Sequence, residues 1–173
     1  MMFSVVICTY NRAHQVGTAI DSVLAQTFDD YELIVVNDGS TDDTAEVLGR
    51  YDHPRIRVVT RHNGGLSAAR NSGIEAATGR LVAFLDDDDT VSPEWLAGLA
   101  RGVDDATGFT ACAWMIEFKD PPARQVVPPR SHVLFPDVKG GFMTGCFALD
   151  RYVLATIGGY AEEIKVSHQS ELL

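Results

Sequence analysis

The stretch Gly79-Arg-Leu-Val-Ala-Phe-Leu-Asp-Asp-Asp-Asp-Thr-Val-Ser-Pro-Glu-Trp95 fixes the reading of the whole chain. Its apolar run Leu81–Leu85 has the length and side chains of a buried strand. Ser92 followed by Pro93 reads as a helix N-cap with proline in the first turn. The four aspartates between them, Asp86 to Asp89, therefore occupy a strand-to-helix turn at the carboxyl end of a strand, where open α/β sheets bind ligands. Four adjacent like charges repel unless solvent or a cation neutralises them, and a hard divalent ion with oxygen ligands suits such a run. Asp89 is open to two roles, a share in that acidic run or service to the following helix N-terminus.

Outward from this stretch, residues 1–105 alternate strand and helix in the manner of a parallel sheet. Strands are expected at Phe3–Cys8, Tyr31–Val36, Ile56–Thr60 and Leu81–Leu85. Helices are expected at His14–Gln26, Asp42–Tyr51 (capped by Ser40 or Thr41), Leu66–Ala77 and Pro93–Val103. Each strand runs into a polar turn: Thr9-Tyr10-Asn11-Arg12, Asn37-Asp38-Gly39-Ser40, Asn63-Gly64-Gly65 and the acidic run. These turns gather on one edge of the sheet. There Asp38 could accept hydrogen bonds from a base or ribose, Arg70 could fork onto a phosphate, and the glycines would let backbone approach a ligand. Past residue 106 a longer strand is expected at Phe109–Phe118. A proline-rich loop or hairpin over 121–136, a strand near Cys146–Leu149 and a helical turn at Arg151–Thr156 follow.

The 173 residues suit one compact domain, and a formal charge of −10 argues against a general nucleic-acid binder. The three cysteines, Cys8, Cys112 and Cys146, are too scattered for a disulfide framework or zinc site, and Cys8 and Cys146 read as packed thiols. Met1-Met2-Phe3 does not open a signal peptide, and no apolar run nears the ~20 residues of a transmembrane span. A cytoplasmic setting is expected. The chain ends at Glu171-Leu172-Leu173 in what reads as the opening of a helix, as expected if the sequence is a fragment.

The stretches SVVICTYNR, SVLAQTFDDYELIVVNDGSTDDT, HNGGLSAARNSGIEAATGRLVAFLDDDDTVSPEWL and IGGYAEE together resemble the family 2 glycosyltransferases with the GT-A nucleotide-sugar fold. The resemblance implies a Rossmann-like, mostly parallel α/β sheet. Residues 1–105 would form a nucleotide-sugar-binding half and 106–173 a smaller acceptor-side half. It implies that Thr9, Tyr10 and Asp38 hold the nucleoside, with Asn63 in the same site, and that Arg70 lies near the diphosphate. The DXD-type motif maps to Asp86, Asp87 and Asp88, with Asp88 on the metal, Mg²⁺ or Mn²⁺. The implied reaction is inverting transfer from a nucleoside-diphosphate sugar, uracil being the usual base, to a hydroxyl on a glycan, lipid-linked or small-molecule acceptor.

Such enzymes carry a Glu-Asp pair about ten residues beyond the Gly-Gly motif, as the general base. Counting from Gly159 reaches His168 and Gln169, and glutamine is no base. The candidates are therefore His168 and Glu171, the nearest carboxylate in a shifted register. The Gln-x-x-Arg-Trp motif of processive members is absent. Two alternatives stand beside this reading. One is a catalytically silent or truncated nucleotide-sugar-binding module. The other is a haloacid-dehalogenase-like phosphatase using Asp86 and Asp88, since Asp86-x-Asp88-x-Thr90 fits its signature.

Overall fold

The computed structural model describes residues 1–112 and 145–162, together with the backbone of 114–119 and 122–127. Its strands are β1 (Phe3–Thr9), β2 (Tyr31–Asn37), β3 (Ile56–Thr60), β4 (Leu81–Asp86), β5 (Phe109–Ala111), β6 (Trp114–Lys119), β7 (Pro122–Val127) and β8 (Phe147–Asp150). Its helices are α1 (Val16–Leu24), α2 (Thr44–Gly49), α3 (Leu66–Ala76), α4 (Trp95–Arg101) and α5 (Arg151–Thr156).

Six strands form one sheet in the order β3-β2-β1-β4-β8-β5. The first four are parallel, with Phe3 opposite both Tyr31 and Leu81. The late strand β8 enters between β4 and β5 and runs antiparallel to both. Near-continuous apolar strands are what a sheet covered on both faces requires. Alternate residues serve opposite faces: Val5, Ile7, Leu33, Val35 and Leu85 pack with Val16, Ile20, Leu48, Leu96 and Leu99 from α1, α2 and α4. Val6, Ile34, Val36, Val82 and Phe84 pack with Ala69 of α3 and Leu154 of α5. The closest approach of α3 falls at Gly73, where a Cβ would lie 2.4 Å from Val6 Cγ1; only glycine fits without displacing a stiff β-branched side chain.

Several expected boundaries shift for local reasons. The α2 N-cap is Asp43 rather than Ser40 or Thr41, and the carboxylate of Asp42 takes the Thr44 amide. At α4 the N-cap is Glu94: the Leu96 amide that a Ser92 cap would hold donates instead to Gln26 Oε1 at 2.9 Å, while the Gln26 nitrogen donates to the Ser92 carbonyl. Asp89 stands well ahead of α4 and caps nothing there; its amide closes a tight turn onto the Asp86 carbonyl. The expected strand over Phe109–Phe118 divides. β5 joins the main sheet, while β6 pairs with β7 in a separate two-stranded ribbon that takes in part of the proline-rich stretch. Trp95 is a core residue, its indole donating to the Gly145 carbonyl at 2.7 Å.

At the end of the sheet opposite the polar turns, Glu32 ties three strands together. One carboxylate oxygen accepts from the Ser4 hydroxyl (2.7 Å) and from the amide and hydroxyl of Thr78 (2.7 and 2.6 Å), and the other faces Arg57 at 3.3 Å. Burial pushes this carboxyl up, but these bonds and Arg57 together outweigh it and hold it below its ordinary value of 4.5. A lowered folded value means the charged form stabilises the fold above pH 4.5, with that contribution lost as pH falls through the folded value. Glu32→Gln should therefore cost about 2 kcal/mol in urea unfolding at pH 7. The deficit should vanish in acid, where both proteins carry a neutral side chain; a deficit equal at both pH values would refute the assignment.

Candidate functional site

The carboxyl ends of β1, β2 and β4 meet at one edge, and the polar turns that leave them are bonded to one another. Asn11 adopts a left-handed backbone, φ 53°, which asparagine tolerates better than most residues. There its side-chain Oδ1 accepts from the Thr41 amide at 2.7 Å, while its backbone amide donates to the Ser40 hydroxyl at 3.0 Å. The next amide, of Arg12, donates to the Thr44 hydroxyl. The first turn is thus stapled to the second.

Asp38 is buried and closes the second turn onto the third. Its carboxylate accepts from Arg61 Nη1 at 3.0 Å, from the Gly64 amide on both oxygens at 3.1 and 3.2 Å, and from the Gly65 amide at 2.8 Å. Gly65 is the N-cap of α3, so Asp38 also sits where the helix dipole favours an anion. Asn63, exposed on the same loop, lies with its amide where a Cβ on Gly39 would collide at 2.7 Å.

The acidic run begins inside the sheet. Asp86 is the last residue of β4 and faces Cys8 of β1 in register. Its carboxylate meets Arg70 Nη2 at 3.1 Å, and the Arg70 guanidinium lies against the rings of Tyr160 (5.2 Å) and Phe84 (5.9 Å). Burial pushes the Asp87 carboxyl up, with Asp88 and Asp86 adding to it and Thr9 and Arg12 opposing. The buried Thr9 hydroxyl lies close enough to lower Asp87 yet makes no hydrogen bond of ordinary geometry. Asp88 is half-exposed and faces Arg12 Nη1 at 3.4 Å. Asp89 is raised by burial and then by its three acidic neighbours. Beneath them burial pushes the Cys8 thiol up to about 12, the state of a packed thiol.

Thr9, Asp38, Arg70 and the aspartates 86–88 are thus brought to one edge, with Tyr10 exposed beside them. His168 and Glu171 lie outside the described residues. Residues that sequence reasoning passed over take prominent places: Arg12 against Asp88, Arg61 against Asp38, and Asn71 against Tyr160. Among the described residues no group of three or more His, Cys, Asp or Glu side chains is arranged to hold an ion unaided. The oxygen donors that are present, the carboxylates of Asp86 to Asp88, are of the type a hard divalent ion takes one or two of, with substrate phosphates and water completing its shell.

With this geometry in view, the profile of "Glycosyl transferase family 2" matches residues 4–157. The chain belongs to glycosyl transferase family 2. EpsH of Bacillus subtilis (strain 168), assigned to the glycosyltransferases, is 39% identical over 120 residues, 68% of this chain and 35% of EpsH. Among solved structures, S. aureus TarS 1-349 superposes with a TM-score of 0.75 at 26% identity, covering 96% of this chain and 52% of that one. TarS has also been crystallised with UDP-GlcNAc. A mannosyltransferase from Pyrobaculum calidifontis, PcManGT, in complex with GDP-Man and Mn²⁺, shares the fold with a TM-score of 0.72 at 21% identity, over 94% of this chain and 48% of its own. The GT-A architecture expected of a family 2 chain is therefore present, and the phosphatase alternative falls away. This chain spans only a third to a half of these relatives' lengths. Among its described residues no helix is long and apolar enough to cross a membrane.

Proposed function

We propose that this chain is the donor-binding part of an inverting glycosyltransferase, taking a sugar from a nucleoside-diphosphate sugar with uracil as its base and passing it to an acceptor hydroxyl. One observation carries the reading: cationic and anionic side chains alternate along a single sheet edge, Arg12 on Asp88 and Arg70 on Asp86. A sugar diphosphate needs both signs there, guanidinium groups for its oxygens and carboxylates for the cation that accompanies it.

In this reading Thr9, Tyr10 and Asp38, with Asn63 beside them, receive the nucleoside. Arg70, paired with Asp86 and set against the rings of Tyr160 and Phe84, lies where the diphosphate would be received. Asp88 would hold Mg²⁺ or Mn²⁺ with Asp86 and Asp87 close by, and that ion would stabilise the charge of the departing nucleoside diphosphate. On the acceptor side, residues 106–173, the attacking hydroxyl must give up its proton to a base. His168 and Glu171 are the candidates, since Gln169 offers none.

Calorimetric titration with UDP-, GDP- and dTDP-sugars, in Mn²⁺ and in EDTA, tests the reading. The expected result is binding of a UDP-sugar in Mn²⁺ that EDTA removes. A chain that binds no nucleotide sugar in either condition would end the proposal, and tight binding without donor hydrolysis would favour the silent module.

A further inference from the structure

The turn Gly158-Gly159-Tyr160 is hydrogen-bonded to α3 through the side chain of Asn71. The Asn71 oxygen accepts from the Tyr160 amide at 2.8 Å, while its nitrogen donates to the Tyr160 carbonyl at 3.0 Å and to Glu162 Oε1 at 2.8 Å. Both N–H groups and the acceptor of the amide are in use, which only asparagine or glutamine can supply. The glycines make the approach possible. Both have positive φ, and a Cβ on Gly159 would lie 2.5 Å from the Asn71 oxygen. What the turn delivers is the Tyr160 ring, 5.2 Å from the Arg70 guanidinium and edge-on to Phe84 at 5.4 Å. Arg70 is the residue before Asn71, so one helical turn both seats the ring and presents the cation beneath it.

We infer that Asn71 is a positioning residue: it latches the 158–162 segment onto α3 so that Tyr160 pins Arg70 in the orientation that meets Asp86. A long arginine has many rotamers to lose, and a ring across its plane removes most of that freedom before any ligand arrives. The consequence for donor binding rests on the functional reading above. The latch itself does not.

The test reads Arg70 directly. Its side-chain Nε–H resonance, assigned by its loss in Arg70→Lys, is expected to be ring-current shifted in the native protein and in Tyr160→Phe, which keeps the ring. Asn71→Ala and Tyr160→Ala should both return it toward the free-arginine position, and the double variant should add nothing further. Should Asn71→Ala not fold, Asn71→Ser and Tyr160→Ala carry the comparison. In Mn²⁺, UDP affinity should fall about tenfold in Asn71→Ala, the equivalent of one well-aligned charged contact, while uridine affinity holds. A shifted resonance that survives Asn71→Ala would overturn the latch, and equal losses for UDP and uridine would overturn its consequence for the diphosphate. If the native protein binds no UDP, the donor reading fails and the resonance alone decides the latch.

Discussion

Asp38→Ala should lower the stability of this chain by about 3 kcal/mol, because a buried carboxylate and all its charged hydrogen bonds are lost together. The loss is not confined to Arg61. The amides of Gly64 and Gly65 donate to the same carboxylate, and deletion removes their shared acceptor at the start of α3. Asp38→Asn keeps the shape and one acceptor, so it should recover about half of the loss. Urea unfolding at pH 7 measures both variants, and an unchanged midpoint for Asp38→Ala would mean that water already reaches those amides. The comparison also bears on the nucleoside. If Asp38 acts only by clamping the loop, uridine affinity should follow stability across the two variants. If it touches the base or ribose, asparagine should restore stability and still bind weakly.

Asp88→Ala should have the opposite profile, losing at least a hundredfold in Mn²⁺-dependent UDP affinity, the scale on which a direct metal ligand matters. Stability should hold within about 0.5 kcal/mol, because an exposed ion pair such as Arg12–Asp88 contributes little. A small gain is the more natural expectation. Burial and neighbouring charge push Asp87 and Asp89 up, and deleting the charge between them relieves repulsion in the absence of an ion. Titration with and without Mn²⁺, alongside thermal unfolding, separates the two effects. Undiminished metal-dependent affinity would remove Asp88 from the metal site.

Much of the frame was legible in the residues. Apolar runs closed by polar turns place β1 to β4 to within a residue, because a sheet covered on both faces leaves little choice of composition. The gathering of the turns at one edge follows from parallel strands. Side-chain partnership was not legible. Asp38 stands in a turn that could face solvent, a ligand or its own chain, and only the fold brings Gly64 and Gly65 to it. Ser92 has the composition of an N-cap, yet its carbonyl is claimed by Gln26, far away in sequence. Arg12 and Asn71 both lie inside stretches that signalled the family, but their partners are 76 and 89 residues distant. Periodicity carries no information at that range.

The placement of β8 has a consequence for how the molecule is made. Among the described residues the strand β5 pairs in the sheet only with β8, and β8 in turn covers the flank of β4. A chain emerging from the ribosome therefore lacks β8, the partner strand of β5 and β4, until residue 150 has been synthesised. Only then does a central strand drop into a gap between two that were made earlier. Late, non-local closure of this kind is slow and leaves a sticky edge in the interval, so nascent chains stalled before β8 should be the species that chaperones hold.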